Sequence, residues 1–190
     1  MAKDSKTRIL DTALDEFSAH GFAGARVGRI AAASRTNKQL IYYYFGSKKG
    51  LYQQVLDDVY QKVLEAEGSV PKGFENDLLY WIDFHQQHPY FLRLLEWEGV
   101  AYARKRRGAG KPRMMWKASL ERLRKNKGTE GWPQGLQAGQ ALVACMALVT
   151  WPMAFPQICR QITGQDADHP KFIRERRKFI TQFVRALSRV

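Results

Sequence analysis

Two short helical patterns, Val27 to Ala33 and Lys38 to Tyr44, flank the polar turn Ser34-Arg35-Thr36. Neither is long enough to be stable alone in water, since helices below about 12–15 residues are marginal there. They can persist only as parts of one packed unit. Small residues at Ala31, Ala32 and Ala33 let the two helices approach closely. Asn37 stands where an N-cap is needed, and Ile41 and Phe45 are placed to pack beneath the second helix. Phe45-Gly46 ends that helix, and Ser47 caps a longer one from Lys48 to about Ala66, with Leu51, Val55, Val59 and Val63 on its apolar face. Upstream, Ile9, Leu10, Ala13, Leu14 and Phe17 share one face of a helix from about Ser5 to His20, with Gly21 placed as its left-handed C-terminal residue.

A short helix held steeply on another by a tight turn is the geometry of a recognition helix in the major groove. Lys38 and Gln39 lie in its first turn, where Lys can donate to guanine O6 and N7 and Gln can pair with adenine N6 and N7. Tyr42 and Tyr43 can reach phosphates and thymine methyls, while Tyr44 and Phe45 pack. Arg26, Arg29 and Lys48 flank the motif as phosphate contacts, and Asn37 at the start of the helix belongs to the same DNA-binding set.

The run Ile30-Ala31, Asn37-Lys38, Ile41-Tyr42-Tyr43-Tyr44-Phe45, Ser47-Lys48 and Leu51 resembles the signature of the TetR family. Ile9-Leu10-Asp11, Ala13 and Gly21-Phe22 fit the same pattern, so the resemblance covers residues 6 to about 56 without a gap. Two positions depart from it. Arg35 stands in the turn where glycine is frequent, which makes it a further phosphate contact. Ala25 stands before the second helix where threonine is frequent; it offers no side-chain cap, and Arg26 takes that contact over.

The rest of the chain reads as helices too. Strand signals are nearly absent, and the fold class expected is all-α: a three-helix helix-turn-helix domain followed by a helical ligand-binding and dimerisation domain. The boundaries are 5–65 for the first (motif about 27–45, linking helix 48–66) and 66–190 for the second. Pro71, Pro89, the loop 107–112 and the loop 128–133 punctuate the second part, and the last helix runs from about Pro170 to Ser188.

Charge supports a polyanionic partner but is not concentrated in the motif. The chain carries a net +13, of which residues 1–55 hold +5, 56–100 hold −6, 101–127 hold +10 and 128–190 hold +4. The basic segment Arg104-Lys105-Arg106-Arg107, with Lys111, Arg113 and Lys117, reads first as a solvated face, then as an anion site or a second hold on the duplex.

The resemblance implies a homodimer on a palindromic operator in double-stranded DNA, a small-molecule effector, and a repressor released by that effector. Its dimer interface would be a bundle of the last two helices. Ala141, Cys145, Leu148, Phe172, Phe179, Ile180 and Phe183 are the expected interface. Trp81, Phe84, Phe91, Trp97, Trp116, Trp151 and Phe155 form an aromatic set that suits an apolar pocket and a hydrophobic or aromatic effector. A DNA-binding protein without an effector is the competing class.

An enzymatic reading has no support in the residues. No nucleophile–base set, phosphate-cradling glycine loop or zinc spacing occurs, so no catalytic residue, cofactor or metal is expected. His85 and His88 lack further ligands nearby, and the two cysteines, Cys145 and Cys159, read as buried thiols of a cytoplasmic protein. Leu136 to Cys159 carries no charge, but its glutamines, Thr150, Pro152 and Pro156 argue for a helix buried in protein rather than a membrane span.

Overall fold

A computed structural model describes residues 4–105, 114–125 and 136–187. Its elements are α1 (Ser5–Gly24), α2 (Val27–Ala33), α3 (Lys38–Phe45), α4 (Lys48–Glu67), α5 (Phe74–Gln87), α6 (Pro89–Lys105), α7 (Met114–Lys125), α8 (Ala138–Ala154), α9 (Pro156–Thr163) and α10 (Pro170–Leu187). Among the described residues there is no strand. No single described helix is long and apolar enough to cross a membrane; α8 and α9 reach that composition only as a pair bent by 86°. The loops at 107–112 and 128–133, and most of the basic segment 104–117, lie outside the described residues.

The chain divides into two compact units. Of the described residues, one holds 4–62 and 93–105, the other 63–92, 114–125 and 136–187. The break falls inside two helices: the last turn of α4 groups with the second unit, and α6 from Arg93 onward groups with the first.

In the first unit, Ile9, Ala13 and Phe17 of α1, Ile30 of α2, Ile41 of α3 and Leu51 of α4 are all fully buried. Burying each of the larger ones stabilises by roughly 1.5–3 kcal/mol, which is what holds α2 and α3 in helical form. Asp4 caps α1 by accepting from Thr7 N–H at 2.7 Å. Arg8 Nε donates to the Ser34 carbonyl at 3.3 Å and so pins the helix-turn-helix turn to α1. Gly21 is not the left-handed cap expected. Its φ of 63° and ψ of 175° kink α1, which resumes for one more turn to Gly24.

The second unit packs α5, α7, α8 and α10 around Phe74, Leu78, Ile82, Leu123, Ala141, Val149, Ile180 and Val184. A smaller cluster of Cys159, Ala167 and Phe172 sits under α9. That helix was not anticipated. Pro152 lies inside α8, which ends at Ala154, and Pro156 at the first position of α9 starts the next helix.

Candidate nucleic-acid interface and internal cavity

α3 begins where the Asn37 side chain accepts from Leu40 N–H at 2.8 Å, and α4 where the Ser47 hydroxyl accepts from Gly50 N–H at 3.0 Å. A Cβ on Gly50 would stand 2.1 Å from the Phe45 carbonyl oxygen, so only glycine lets α4 start this close to the end of α3. With Ile41 fully buried, the opposite side of α3 is set outward: Lys38 and Gln39 are exposed, Tyr42 is 45% exposed and Tyr43 82%. A ring as exposed as that of Tyr43 leaves most of its surface free for a partner. Tyr44 differs from expectation: it is 40% exposed, edge-on to Tyr43 and Phe45, and only Phe45 is half-buried.

Arg35 is exposed and is the one non-glycine among the described residues with positive φ, at 54°. The turn needs a left-handed residue there, which explains why glycine would also fit. Lys48 is half-buried and lies over the Phe22 ring, 4.8 Å from its centroid, at the start of α4. This contact fixes where its charge is presented.

The start of α2 is built differently from expectation. Arg26 is the N-cap and supplies no side-chain cap. The missing acceptor comes from Glu16 of α1, which accepts from Arg26 N–H at 2.7 Å and from Arg29 Nε at 2.8 Å. Burial pushes the Glu16 carboxyl up, but the hydrogen bonds from Arg29 and Arg26 and the Arg29 charge outweigh it and leave its pKa below the ordinary value. Arg29 also donates to the Gly24 carbonyl at 3.0 Å. Its guanidinium is therefore first a clamp between α1 and α2, with only its outer edge left for a phosphate. The Arg26 side chain is exposed.

The second unit holds a cavity of about 30 Å³, walled by α5, α7 and α8 with residues from the ends of α4 and α6. Of the expected aromatic set, Trp81, Phe91 and Trp116 line it. Phe84 is buried beside it, with its ring 5.1 Å from that of Trp81. Three others do not belong there. Trp97 lies in the first unit, where its Nε1 donates to the Ser18 carbonyl at 3.1 Å. Trp151 and Phe155 are exposed, 5.8 Å apart, at the end of α8. Aromatic identity alone did not separate a cavity wall from a helix clamp or an outer face.

Besides aromatic and aliphatic side chains such as Leu78, Leu123 and Val149, the cavity wall carries a polar cluster. Arg122 of α7 donates through Nε to Glu67 at 2.6 Å and through a second nitrogen to Asp77. The Ser119 hydroxyl donates to the other Glu67 oxygen. His85 is 1% exposed, and its buried Nδ1 has no hydrogen-bond partner. Burial, and to a smaller extent His88, holds the His85 pKa down to about 4, so the ring is neutral at ordinary pH. Burial also pushes the Cys145 thiol up to about 12, so it is inert. Sequence reasoning missed this cluster. Its signal was the charge asymmetry: Glu67 and Asp77 come from the acidic stretch 56–100, Arg122 from the basic stretch 101–127.

A separate groove of about 500 Å³ runs between α8 and α10, over Ala144, Ala147, Trp151, Phe183 and Leu187. Phe179 and Phe183 are exposed and stacked, with centroids 5.9 Å apart, and Val143 is 64% exposed. Of the expected interface residues, Phe179 and Phe183 face outward, while Cys145 and Leu148 are half-buried at the groove. Ala141, Phe172 and Ile180 are buried inside the protomer, Ile180 completely, with Ala141 at the floor of the groove. Val143 and Ala144 of α8 are exposed as well and join Phe179 and Phe183 of α10 as outer apolar surface.

Comparison with known proteins places this geometry. Residues 9–55 match the profile described as bacterial regulatory proteins, tetR family. The chain is 36% identical over 165 residues to the HTH-type transcriptional repressor SCO4008 of Streptomyces coelicolor, with 84% of each chain covered. It is 33% identical over 106 residues to the HTH-type transcriptional repressor NicS of Pseudomonas putida, across about half of each. Among solved structures it superposes on the putative transcriptional regulator SCO4942 of Streptomyces coelicolor with a TM-score of 0.76 at 23% identity, covering 97% of this chain and 98% of that one. The regulator FadR of Bacillus subtilis, solved in complex with stearoyl-CoA, gives 0.60 at 16% identity, covering 92% of this chain and 97% of that one.

Proposed function

The chain belongs to the TetR family of bacterial regulatory proteins, and from that premise we propose that it is a repressor that reads a palindromic operator and releases it when a small molecule enters the cavity. It is a DNA-binding transcriptional regulator and not an enzyme, and proteins of its family act as dimers. The observation that carries the reading is α3. A capped helix of eight residues is anchored by a fully buried Ile41 and turns Lys38, Gln39, Tyr42 and Tyr43 to solvent. Lys38 and Gln39 read base edges. Tyr42, Tyr43, Arg26, Arg35, Lys48 and the outer edge of Arg29 hold phosphates, and Asn37 sets the register of α3 through its cap.

Residues 5–65 read DNA and residues 66–190 bind effector and dimerise. One helix-turn-helix reads few bases, so two copies take two half-sites about 34–36 Å apart or a multiple of that. The outer face of α8 and α10 supplies the contact between copies, because Phe179, Phe183, Val143 and the α8 alanines leave apolar surface that a second copy would cover. The effector acts by binding one arrangement of the dimer better than the other. A protein of this kind works in the cytoplasm, where the DNA is.

Selection of bound duplexes from a random pool tests the reading. The expected result is an inverted repeat whose half-sites lose preference at one position in Gln39→Ala. Recovery of no inverted repeat would overturn it. An inverted repeat that no added compound releases would leave a regulator without an effector.

A further inference from the structure

The cavity of the second unit is not electrically balanced. Among the described residues that line it, Glu67 and Asp77 are the acids and Arg122 is the base, while His85 is held neutral. All three charged groups are at least four-fifths removed from water. Both carboxylates accept from Arg122, so two buried acids share one base, and buried charge left uncompensated is costly. Burial pushes the Asp77 carboxyl up in spite of Arg122 beside it. A second polar group is also left waiting. His85 Nδ1 is buried, lines the same cavity and has no partner.

We propose that the effector of this cavity is a flat lipophilic monocation with an N–H donor, such as a protonated aromatic amine, drawn by the acidic surplus of Glu67 and Asp77 over Arg122. The proposal rests on the effector-responsive reading above and names the ligand class for it. The ring body would lie among Trp81, Phe91 and Trp116, whose faces attract a desolvated cation. The N–H would find an acceptor in His85 Nδ1. An anion is disfavoured by the same geometry. Arg122 already directs its Nε and one terminal nitrogen at the two carboxylates, so a carboxylate or phosphate would meet two like charges.

At about 30 Å³ the cavity has room for a water or two, whereas benzene needs a cavity of about 150 Å³. Entry therefore requires the walls to part. Trp116, Ser119 and Arg122 all ride on α7, which makes that helix one of the walls whose displacement would open the cavity. The ligand thus favours an arrangement that the empty protein populates little, as release of an operator by an effector requires.

The test is a matched series of one ring body and three charges: 2-naphthylmethylamine, 2-naphthylmethanol and 2-naphthoate, titrated into the full-length protein by calorimetry. The amine is expected to bind about tenfold or more tighter than the alcohol, and naphthoate most weakly. Asp77→Asn and Glu67→Gln should each bring the amine-to-alcohol ratio towards one. Should both variants unfold by circular dichroism, the unmodified protein decides through the series itself. Equal binding of amine and alcohol, tighter binding of naphthoate, or no binding of any compound up to millimolar concentration overturns the proposal. The same compounds added to the protein–operator complex separate the two claims. Release by the alcohol or the acid alone removes the cation assignment and keeps the effector reading. Cavity binding of the amine without release keeps the ligand class and removes the effector reading.

Discussion

Gly21→Ala should destabilise the first unit by about 4 kcal/mol, and the figure has two separable parts. The backbone at Gly21 has φ 63° and ψ 175°, a region that essentially only glycine occupies, and forcing another residue there costs about 1–3 kcal/mol. The new Cβ would also stand 2.7 Å from Trp97 Cδ2 and 2.8 Å from Cε3, and overpacking of that kind costs about 1–3 kcal/mol. The indole cannot swing aside freely, because its Nε1 donates to the Ser18 carbonyl at 3.1 Å. Losing that bond costs about 0.5–1.5 kcal/mol, which sets a floor for the second part. Urea unfolding followed by circular dichroism measures the sum, at fixed protein concentration because dimer stability depends on it. The same substitution in a Trp97→Ala background should cost only the backbone part, about 1–3 kcal/mol. A loss below about 1 kcal/mol in the unmodified background, or an equal loss in both backgrounds, would refute the reasoning.

Other substitutions test the remaining parts. Arg35→Gly relieves a positive φ of 54° and should stabilise the fold by up to about 1 kcal/mol, yet weaken operator binding and lower its salt slope by about one; an unchanged slope would remove Arg35 from the phosphate contacts. His85 has its folded pKa lowered from 6.5 to about 4, so the unfolded chain binds the extra proton between those values. Stability should therefore fall as pH drops from about 6.5 to about 4, by about 3 kcal/mol in total, and His85→Leu should lack that component in denaturant melts across the range. Phe183→Asp places a charge on the stacked Phe179–Phe183 pair and should yield monomers by analytical ultracentrifugation, with operator affinity lost alongside; a dimer of unchanged affinity would move the interface elsewhere.

The first unit was legible because its signals are local. Asn37 and Ser47 as caps, Ile41 beneath α3 and the apolar face of α4 all follow from spacing within one or two turns, and each stands in the structure where spacing put it. Gly21 was marked as a helix end for the right reason, its tolerance of positive φ, but which positive-φ conformation it takes depends on Trp97, 76 positions away, and spacing carries no such information. Glu16 escaped for the same cause: it caps α2 from another helix, 10 residues before the N–H it accepts.

The site in the second unit was legible only as composition. Periodicity correctly marks Ala141, Phe172 and Ile180 as apolar, but a helix packed on one side and covered by a partner on another has two apolar stripes, and sequence alone does not say which is which. Burial within the protomer separates them: Ile180 is completely covered while Phe179, its neighbour, is 45% exposed. The aromatic set failed in the same manner, since Trp81, Trp97 and Trp151 are alike in sequence and serve a cavity, a clamp and an outer face. Charge was the better guide to the cavity. Glu67 and Asp77 come from a stretch of −6 and Arg122 from one of +10, and the pairing that forms sets two acids on one base. On the proposal above, this electrostatic remainder rather than the aromatic lining would discriminate among ligands, because most organic molecules offer a ring and few offer a ring with the compensating charge.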